Sequence, residues 1–211
     1  MKKLLVASAI GLMAVVQVSV AQPQLITFDG LPGDGSTIPN GYGGFNWDNF
    51  YDVNGAAYAP LSGYANGAVS PPNVAYNGYG NPASWMSSLT PFTLNSAYIT
   101  AAWNDGLNVN VEGLNALNQV LYNNNYTVNT EGPTLITFNY VGINEVLFTT
   151  SGGVNMGLGG SGEHLALDNV TVNAAVIAAV PEPTPMISVA LLLLPVGWSA
   201  VRHLRKKLPA V

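Results

Sequence analysis

Short runs of β-branched and aromatic residues, separated by glycine, asparagine and proline, constrain the fold of this chain most strongly. Apolar and polar residues alternate cleanly in Leu107–Val111, and the preceding Asn104-Asp105-Gly106 contains the Asp-Gly pair that favours a hairpin turn. No stretch of ten residues sustains a helical period. Residues 22–178 are therefore predicted to form one all-β domain, an antiparallel β-sandwich of jelly-roll type.

The predicted strands share apolar residues of high β-propensity between turn-forming residues. They are Leu25–Phe28, Tyr98–Trp103, Leu107–Val111, Tyr126–Val128, Leu135–Phe138, Glu145–Thr150 and Leu165–Val172. The stretch Gly41–Gly80 alternates weakly and is rich in Tyr, Asn, Gly and Pro. It is predicted to form long loops over one end of the sandwich, where binding groups collect, or an irregular excursion without a ligand.

Charge placement excludes one class of partner. Residues 22–180 contain ten acidic side chains and no Lys or Arg, a side-chain charge of 0 − 10 = −10. Nucleic acid binding depends on Lys and Arg that neutralise phosphates, so the sequence predicts no nucleic acid partner. The chain also lacks cysteine, which excludes disulfides and thiolate ligands.

The first 21 residues have the order of parts of a secretory signal peptide. Lys2 and Lys3 precede an apolar helix-forming stretch, and small residues end it before Gln22. Cleavage by signal peptidase is expected between Ala21 and Gln22. An uncleaved anchor is the alternative, which the short apolar run disfavours.

The carboxyl-terminal residues 179–207 form a second targeting segment. Its parts are a motif at Pro181, Glu182 and Pro183, an apolar span at 186–201 and a basic cluster at Arg202, Arg205, Lys206 and Lys207. The span is predicted to be a single transmembrane helix. Because basic residues remain on the cytoplasmic side, the β-domain of residues 22–178, here called the body, is expected in the periplasm and the carboxyl terminus in the cytoplasm. A permanent single-pass anchor is the alternative.

This order of parts resembles the PEP-CTERM sorting signal of Gram-negative bacteria. The resemblance implies an exosortase, a membrane protease-transpeptidase, as partner. That enzyme would cut near Pro181-Glu182-Pro183 and release or transfer the body to the cell surface or extracellular matrix. The precursor would be anchored in the inner membrane until then.

The body carries a second resemblance. The segments Ile26–Asp29, Ile38–Trp47 and Leu165–Val172 look like parts of a secreted β-sandwich domain of bacterial and fungal surface proteins. Domains that end in a similar Leu-Asp-Asn-Val strand include carbohydrate-binding jelly rolls. The resemblance implies a fold, without a particular activity.

Catalytic patterns are weak in the body. Gly159-Gly160-Ser161-Gly162-Glu163 lacks the last glycine of a nucleophile elbow. A triad of Ser161, His164 and Asp168 would need three residues of one short segment to converge. The four glutamates of the body leave glycoside hydrolysis as a third hypothesis; they are Glu112, Glu131, Glu145 and Glu163. The sequence favours a protein that is not an enzyme.

Acidic side chains suggest one cofactor, a structural calcium ion, held by Asp29, Asp168 and Asn169. Calcium binds hard oxygen ligands, and the two terminal strands that carry these residues can be neighbours in a jelly roll. A cation would also offset the self-repulsion of the acidic domain. The alternative is that Asp29 and Asp168 accept hydrogen bonds from nearby amides.

Aromatic residues suggest glycan binding. Trp47, Tyr42 and Tyr51 are the preferred candidates, because Gly41–Gly80 is expected to be accessible and aromatic faces stack on pyranose rings. The same stretch also holds further tyrosines, namely Tyr58, Tyr64, Tyr76 and Tyr79. The main hypothesis is a structural or adhesive role in biofilm or exopolysaccharide, with surface polysaccharide as a partner. The alternative is a non-catalytic carbohydrate-binding module.

Overall fold

The computed structural model describes residues 22–79, 82–173 and 175. The predicted signal segment up to Ala21 lies outside these ranges, whereas Gln22 is exposed at their start. The remaining targeting residues also lie outside them: Pro181, Glu182, Pro183, the span at 186–201, Arg202, Arg205, Lys206 and Lys207. No helix in the described ranges is long and apolar enough to cross a membrane.

The described residues form twelve strands. They are β1 (Gln24–Ile26), β2 (Asp34–Thr37), β3 (Asn46–Asp48), β4 (Phe50–Asn54), β5 (Asn73–Asn77), β6 (Ala83–Ala101), β7 (Asn104–Asp105), β8 (Leu107–Leu114), β9 (Val120–Val128), β10 (Thr134–Ser151), β11 (Val154–Asn155) and β12 (Leu165–Val172). Helical structure in the described ranges is limited to a 3-10 turn at Tyr42–Gly44 and to α1 at Gly63–Asn66. Every strand pair is antiparallel, so the predicted all-β antiparallel class is confirmed.

Ten strands form one hydrogen-bonded sheet that folds over on itself. Its main path runs β2-β4-β5-β12-β6-β10-β8-β9, with β1 added beside β12 and β3 beside β6. Four strand spacings separate β4 from β10, about 19 Å in a flat sheet. The rings of Phe50 on β4 and Phe148 on β10 are nevertheless 5.7 Å apart. The path therefore forms two layers around one core.

The long strands β6 and β10 pass from one layer to the other at a shared bend. Ile143 pairs with Phe92 but Glu145 pairs with Ser87, so residues 88–91 of β6 lie opposite residue 144 of β10. Such a bulge bends both strands. Before the bend β6 pairs with β3, and after it with β12. One layer thus contains β2, β4, β5, β12 and the end of β6, and the other contains β3, the start of β6, β8 and β9.

Several details of the predicted secondary structure were wrong, and one is that Leu135–Phe138 and Glu145–Thr150 belong to the single strand β10. Gly41–Gly80 holds the three strands β3, β4 and β5 in addition to loops, because pairing with β6 and β12 orders segments whose own alternation is weak. Asn104-Asp105-Gly106 does not close a hairpin. Gly106 has the expected positive φ of 71°, but the turn carries the chain from β6 in one layer to β8 in the other.

All strand pairings of the described chain, and both of its hydrophobic clusters, lie within residues 24–172. The larger cluster fills the space between the layers. Its largest fully buried aromatic side chains are those of Phe28, Phe50, Phe148 and Tyr140. Residues 22–173 therefore contain a self-contained core and form a unit that can fold on its own.

Candidate functional site

The outer face of the first layer, away from the main core, carries a second apolar surface. Strand register places Tyr51 beside Tyr76 and Tyr76 beside Ala166, while Val53 pairs with Val74. Because side chains alternate along a strand, these five residues share one face. The segment 55–72, which includes α1, covers part of that face.

Close backbone contacts hold the covering segment in place. Gly63 N donates to the carbonyl oxygen of Ala102 at 2.9 Å, and Asn66 Nδ2 donates to the carbonyl oxygen of Thr130 at 2.8 Å. A Cβ atom on Gly63 would overlap the carbonyl oxygen of Ala101, so only glycine permits this approach. The small cluster beneath it is thereby sealed, and Tyr64 is 3% exposed.

A groove of about 300 Å³ opens between this segment and the edge strand β2. Its volume is at the lower end of the range for small-molecule sites. The residues that line it are Gly33, Asp34, Gly35, Val53, Asn54, Ala57, Tyr58, Tyr64 and Tyr76. Its walls are thus three tyrosines, short polar groups and exposed backbone.

The groove tyrosines belong to a continuous aromatic row. Ring centroids are 5.7 Å apart for Tyr58 and Tyr64, and 5.4 Å for Tyr64 and Tyr76. From Tyr76 the row continues to Tyr51 at 5.8 Å, and from Tyr51 to Tyr79 at 5.0 Å. Tyr64 is buried, whereas Tyr58 is 51% and Tyr79 85% exposed. The row therefore anchors in the apolar cluster and offers free ring surface at both ends.

The groove combines neutral phenols with a single carboxyl group. Burial raises the pKa of Tyr76 to about 12 and raises the pKa of Tyr64 further, so both phenols stay protonated at neutral pH. Asp34 is the one carboxyl among the described lining residues, and its hydrogen bonds with Ser36 lower its pKa. The groove thus presents hydroxyl groups and one ionised carboxylate.

Trp47 does not belong to this surface, which contradicts its predicted role in glycan stacking. It is 6% exposed and meets Phe28 and Phe50 edge to face, each at 5.5 Å. Its Nε1 donates to the carbonyl oxygen of Tyr42 at 2.9 Å. Strand β3 turns this side chain into the core, so neither face of the indole is available to a sugar.

The other two predicted aromatic residues have different surroundings. Tyr42 is half-buried, stacked on Phe28 at 6.0 Å, and lies outside the groove lining. Tyr51 adjoins the groove through Tyr76. The sequence did not single out Tyr58, Tyr64 or Tyr76 within the aromatic stretch. The two-residue spacing of Tyr51 from Val53, and of Val74 from Tyr76, was the signal that could have placed each pair on one face of its own strand.

Two of the predicted calcium ligands, Asp168 and Asn169 on β12, bond to Ser70 of the covering segment, and the third, Asp29, bonds to Asn73 of β5. Asp168 is fully buried; its Oδ2 accepts a hydrogen bond from Ser70 N at 2.8 Å and its Oδ1 one from Asn169 N at 2.7 Å. Asn169 Oδ1 accepts from Ser70 Oγ at 2.8 Å. Asp29 Oδ1 accepts from Asn73 N at 3.4 Å. This geometry fits the alternative interpretation, in which the acids bond to nearby amides.

A metal ion would need more ligands than these. Among the described residues, no three acidic or histidine side chains gather in a group that could hold a metal. Burial nevertheless raises the pKa of Asp168 to about 6, because desolvation disfavours the charged carboxylate more than the hydrogen bonds from Ser70 and Asn169 favour it. Calcium at Asp168 and Asn169 stays a prediction, and it has a direct test below.

Four of the residues weighed for catalysis, namely His164, Asp168, Glu112 and Glu163, bond to groups outside the groove. His164 Nδ1 lies 2.7 Å from the carbonyl oxygen of Asn77, and Asp168 bonds to Ser70 rather than to His164. Glu112 Oε1 accepts from Asn123 Nδ2 at 2.6 Å, and Glu163 Oε1 accepts from Gly152 N at 2.7 Å. None of these acids is among the residues that line the groove.

Comparison with known proteins assigns no family to the chain. No protein-family model and no curated protein matches it. A DUF4465 family protein from Bacteroides caccae is similar in structure over 72% of this chain and 99% of its own, at 12% identity and a TM-score of 0.48. TmCBM61 in complex with β-1,4-galactotriose aligns with 70% of this chain and 93% of its own, at 7% identity and 0.37. A CBM4 structure aligns with 70% and 96%, at 17% identity and 0.35. No functional argument rests on similarities at this level.

Proposed function

We propose that this domain, a β-sandwich of jelly-roll type, binds a neutral oligosaccharide and does not cleave it. The binding site is the groove lined by Tyr58, Tyr64 and Tyr76, here called the tyrosine groove. The observation that carries the proposal is the row of five tyrosines that runs through the groove and beyond it, anchored by buried Tyr64. Ligand sites commonly combine apolar aromatic walls with a few placed polar groups. Phenol rings match the C–H faces of a pyranose, and phenol hydroxyls match its hydroxyl groups.

Charge supports an uncharged ligand. The absence of Lys and Arg from residues 22–180 leaves nothing to pair with uronate, sulfate or phosphate groups. Asp34 at the rim would repel such groups and can accept hydrogen bonds from sugar hydroxyls. Among the described residues that line the groove, Asp34 is the single carboxyl, which also supports binding without hydrolysis, since glycoside cleavage commonly uses a pair of carboxyl groups.

Calorimetric titration of residues 22–173 with neutral and uronate-containing oligosaccharides tests the proposal. We expect saturable binding of one neutral class, and Tyr58→Ala should weaken it about tenfold, a loss of about 1.4 kcal/mol from one half-exposed ring. Leu89→Ala is the matched control, because Leu89 is 96% exposed and lies at the bend of β6. Equal affinities for Tyr58→Ala and Leu89→Ala would contradict the groove as the binding site.

We also propose that the domain acts at the cell surface or in an extracellular matrix, in a structural or adhesive role. The support is the order of signal peptide, Pro181-Glu182-Pro183, apolar span and basic tail in the sequence. Mass spectrometry of the mature protein should find an amino terminus at Gln22 and a carboxyl terminus near the Pro-Glu-Pro motif. Glu182→Ala should leave the precursor in the inner membrane. Unchanged processing of that variant would exclude an exosortase that recognises the motif.

A further inference from the structure

Strand β9 has a free edge. It pairs with β8 along its whole length and stands at the end of the sheet path, and no other strand of the described chain pairs with it. A free edge presents unpaired backbone N–H and C=O groups that can bond to another strand. At nine residues, β9 is long for an unprotected edge.

The sequence of β9 lacks the usual protection against edge pairing. Between Glu112 and Glu131 the chain carries no charged residue and no proline. Native edges are commonly blocked by lysine, proline or inward charges. Val120 and Leu121 are about half exposed there. By contrast, the edge strands β2 and β3 each carry an aspartate, Asp34 and Asp48.

The strand is also nearly palindromic. Its sequence, Val-Leu-Tyr-Asn-Asn-Asn-Tyr-Thr-Val, has the same residue types on either side of Asn124 except at Leu121 and Thr127. Two copies paired antiparallel about a two-fold axis at Asn124 would place tyrosine opposite tyrosine and asparagine opposite asparagine. A two-fold interface requires each residue to be compatible with its symmetry-related partner, and paired tyrosines and paired asparagines meet this requirement, so the pattern favours a second copy over an unrelated strand.

The side chains of β9 are held in place before any partner binds. On the core side Tyr122 stacks on Tyr140 at 4.5 Å, and Asn124 Nδ2 donates to the Tyr140 hydroxyl at 2.7 Å. On the opposite side Asn110 Nδ2 donates to Asn123 Oδ1 at 2.7 Å and to Asn125 Oδ1 at 3.1 Å. An ordered edge loses little conformational entropy on pairing.

We propose that two copies of this chain associate by antiparallel pairing of β9 with β9, centred on Asn124. The pairing continues one layer of the fold across both copies. Strand β9 itself carries no charged residue, and the carboxylate bonded to it, Glu112, belongs to β8 on the side away from the free edge. The tyrosine groove lies at β2, β4 and β5 of the other layer and stays accessible, and the proposal does not depend on sugar binding.

Sedimentation equilibrium of residues 22–173 tests the association. We expect a concentration-dependent dimer, and Asn125→Lys should raise its Kd about tenfold, because the substitution occurs twice and sets two like charges diagonally across the pair. Thr137→Lys is the control, since it adds the same charge at an exposed position of β10. A monomer at all concentrations, or equal weakening by both variants, would overturn the proposal.

Cysteine cross-linking tests the register and does not depend on the stability of the lysine variant. The natural chain has no cysteine, so the background is free of thiols. In the proposed register Asn123 of one copy faces Asn125 of the other, whereas like positions are diagonal, about 7–8 Å apart and too far for a disulfide. A mixture of Asn123→Cys and Asn125→Cys should form a covalent dimer on mild oxidation. Cross-linking of either variant alone to the same extent would overturn the two-fold register.

Discussion

The buried carboxyl of Asp168 makes a prediction about how stability depends on pH. Its pKa is raised by burial to about 6 in the folded domain, against a value of 3.8 without the fold. The folded state therefore binds a proton more tightly than the unfolded state. This group adds stability as the pH falls from about 6 to about 4, and withdraws it as the pH rises through the same window.

The pKa difference sets an upper limit of about 3 kcal/mol, and residual solvent screening reduces the expected change to about 1–2 kcal/mol. Asp52 has a raised pKa as well, and Asp34 and Asp105 have lowered ones, so the total pH profile mixes several groups. Asp168→Asn removes the Asp168 contribution alone. The difference in unfolding free energy between the natural domain and this variant should therefore grow in favour of the natural domain between pH 7 and pH 4.

Urea unfolding followed by tryptophan fluorescence measures this difference, because urea leaves the ionic strength unchanged and Trp47 and Trp103 are buried. A constant offset is expected as well, since asparagine cannot accept both the Ser70 and Asn169 amide hydrogens. The test of the Asp168 assignment is therefore the slope of the stability difference against pH, and not its offset. A flat difference from pH 7 to pH 4 would refute the assignment of the buried charge to Asp168.

Saturating calcium separates the two interpretations of Asp168. A bound cation would favour the carboxylate and lower its pKa, so the stability difference would then increase with rising pH instead. An unchanged slope with calcium and with EDTA would exclude calcium at Asp168 and Asn169. It would leave Asp168 as the residue that ties the covering segment to β12 through Ser70.

Three further predictions concern the core and the groove. Trp47→Ala should destabilise the domain by about 3–5 kcal/mol in urea unfolding and leave the sugar affinity of the folded protein unchanged, because Trp47 is a core residue. Gly63→Ala should lower the unfolding free energy by about 1–3 kcal/mol, because the new methyl group displaces the covering segment from Ala101. The same displacement should weaken sugar binding. An unchanged sugar affinity would show that the covering segment does not form the binding groove. Sugar affinity should stay constant between about pH 7 and pH 8 in calorimetry, because free phenols ionise only near pH 10 and burial raises the pKa of Tyr76 to about 12; a loss within this window would point to another group.

Part of the candidate site could be anticipated from residue types alone. The absence of Lys and Arg from residues 22–180 disfavours an anionic ligand wherever the site lies, because charge is a property of composition. Tyrosines cluster between Tyr42 and Tyr79, and this stretch supplies most of the residues that line the groove. Which of these rings is exposed could not be predicted, since Trp47 and Tyr58 occur in similar surroundings of Gly, Asn and aromatic residues.

Local sequence determined the β class and the turn residues, because alternation, β-propensity and positive-φ glycines act over a few neighbouring residues. Tertiary structure alone decided which face of each strand meets the core. Trp47 became a core residue because β3 pairs with β6 at that register, and Tyr51 and Tyr76 became surface residues because β4, β5 and β12 present their other face inward. The nearly palindromic order of residues in β9 is visible in the sequence. The free edge of β9, by contrast, exists only because the sheet path ends at this strand. Faces and edges depend on pairing between distant segments, and no local pattern contains that information.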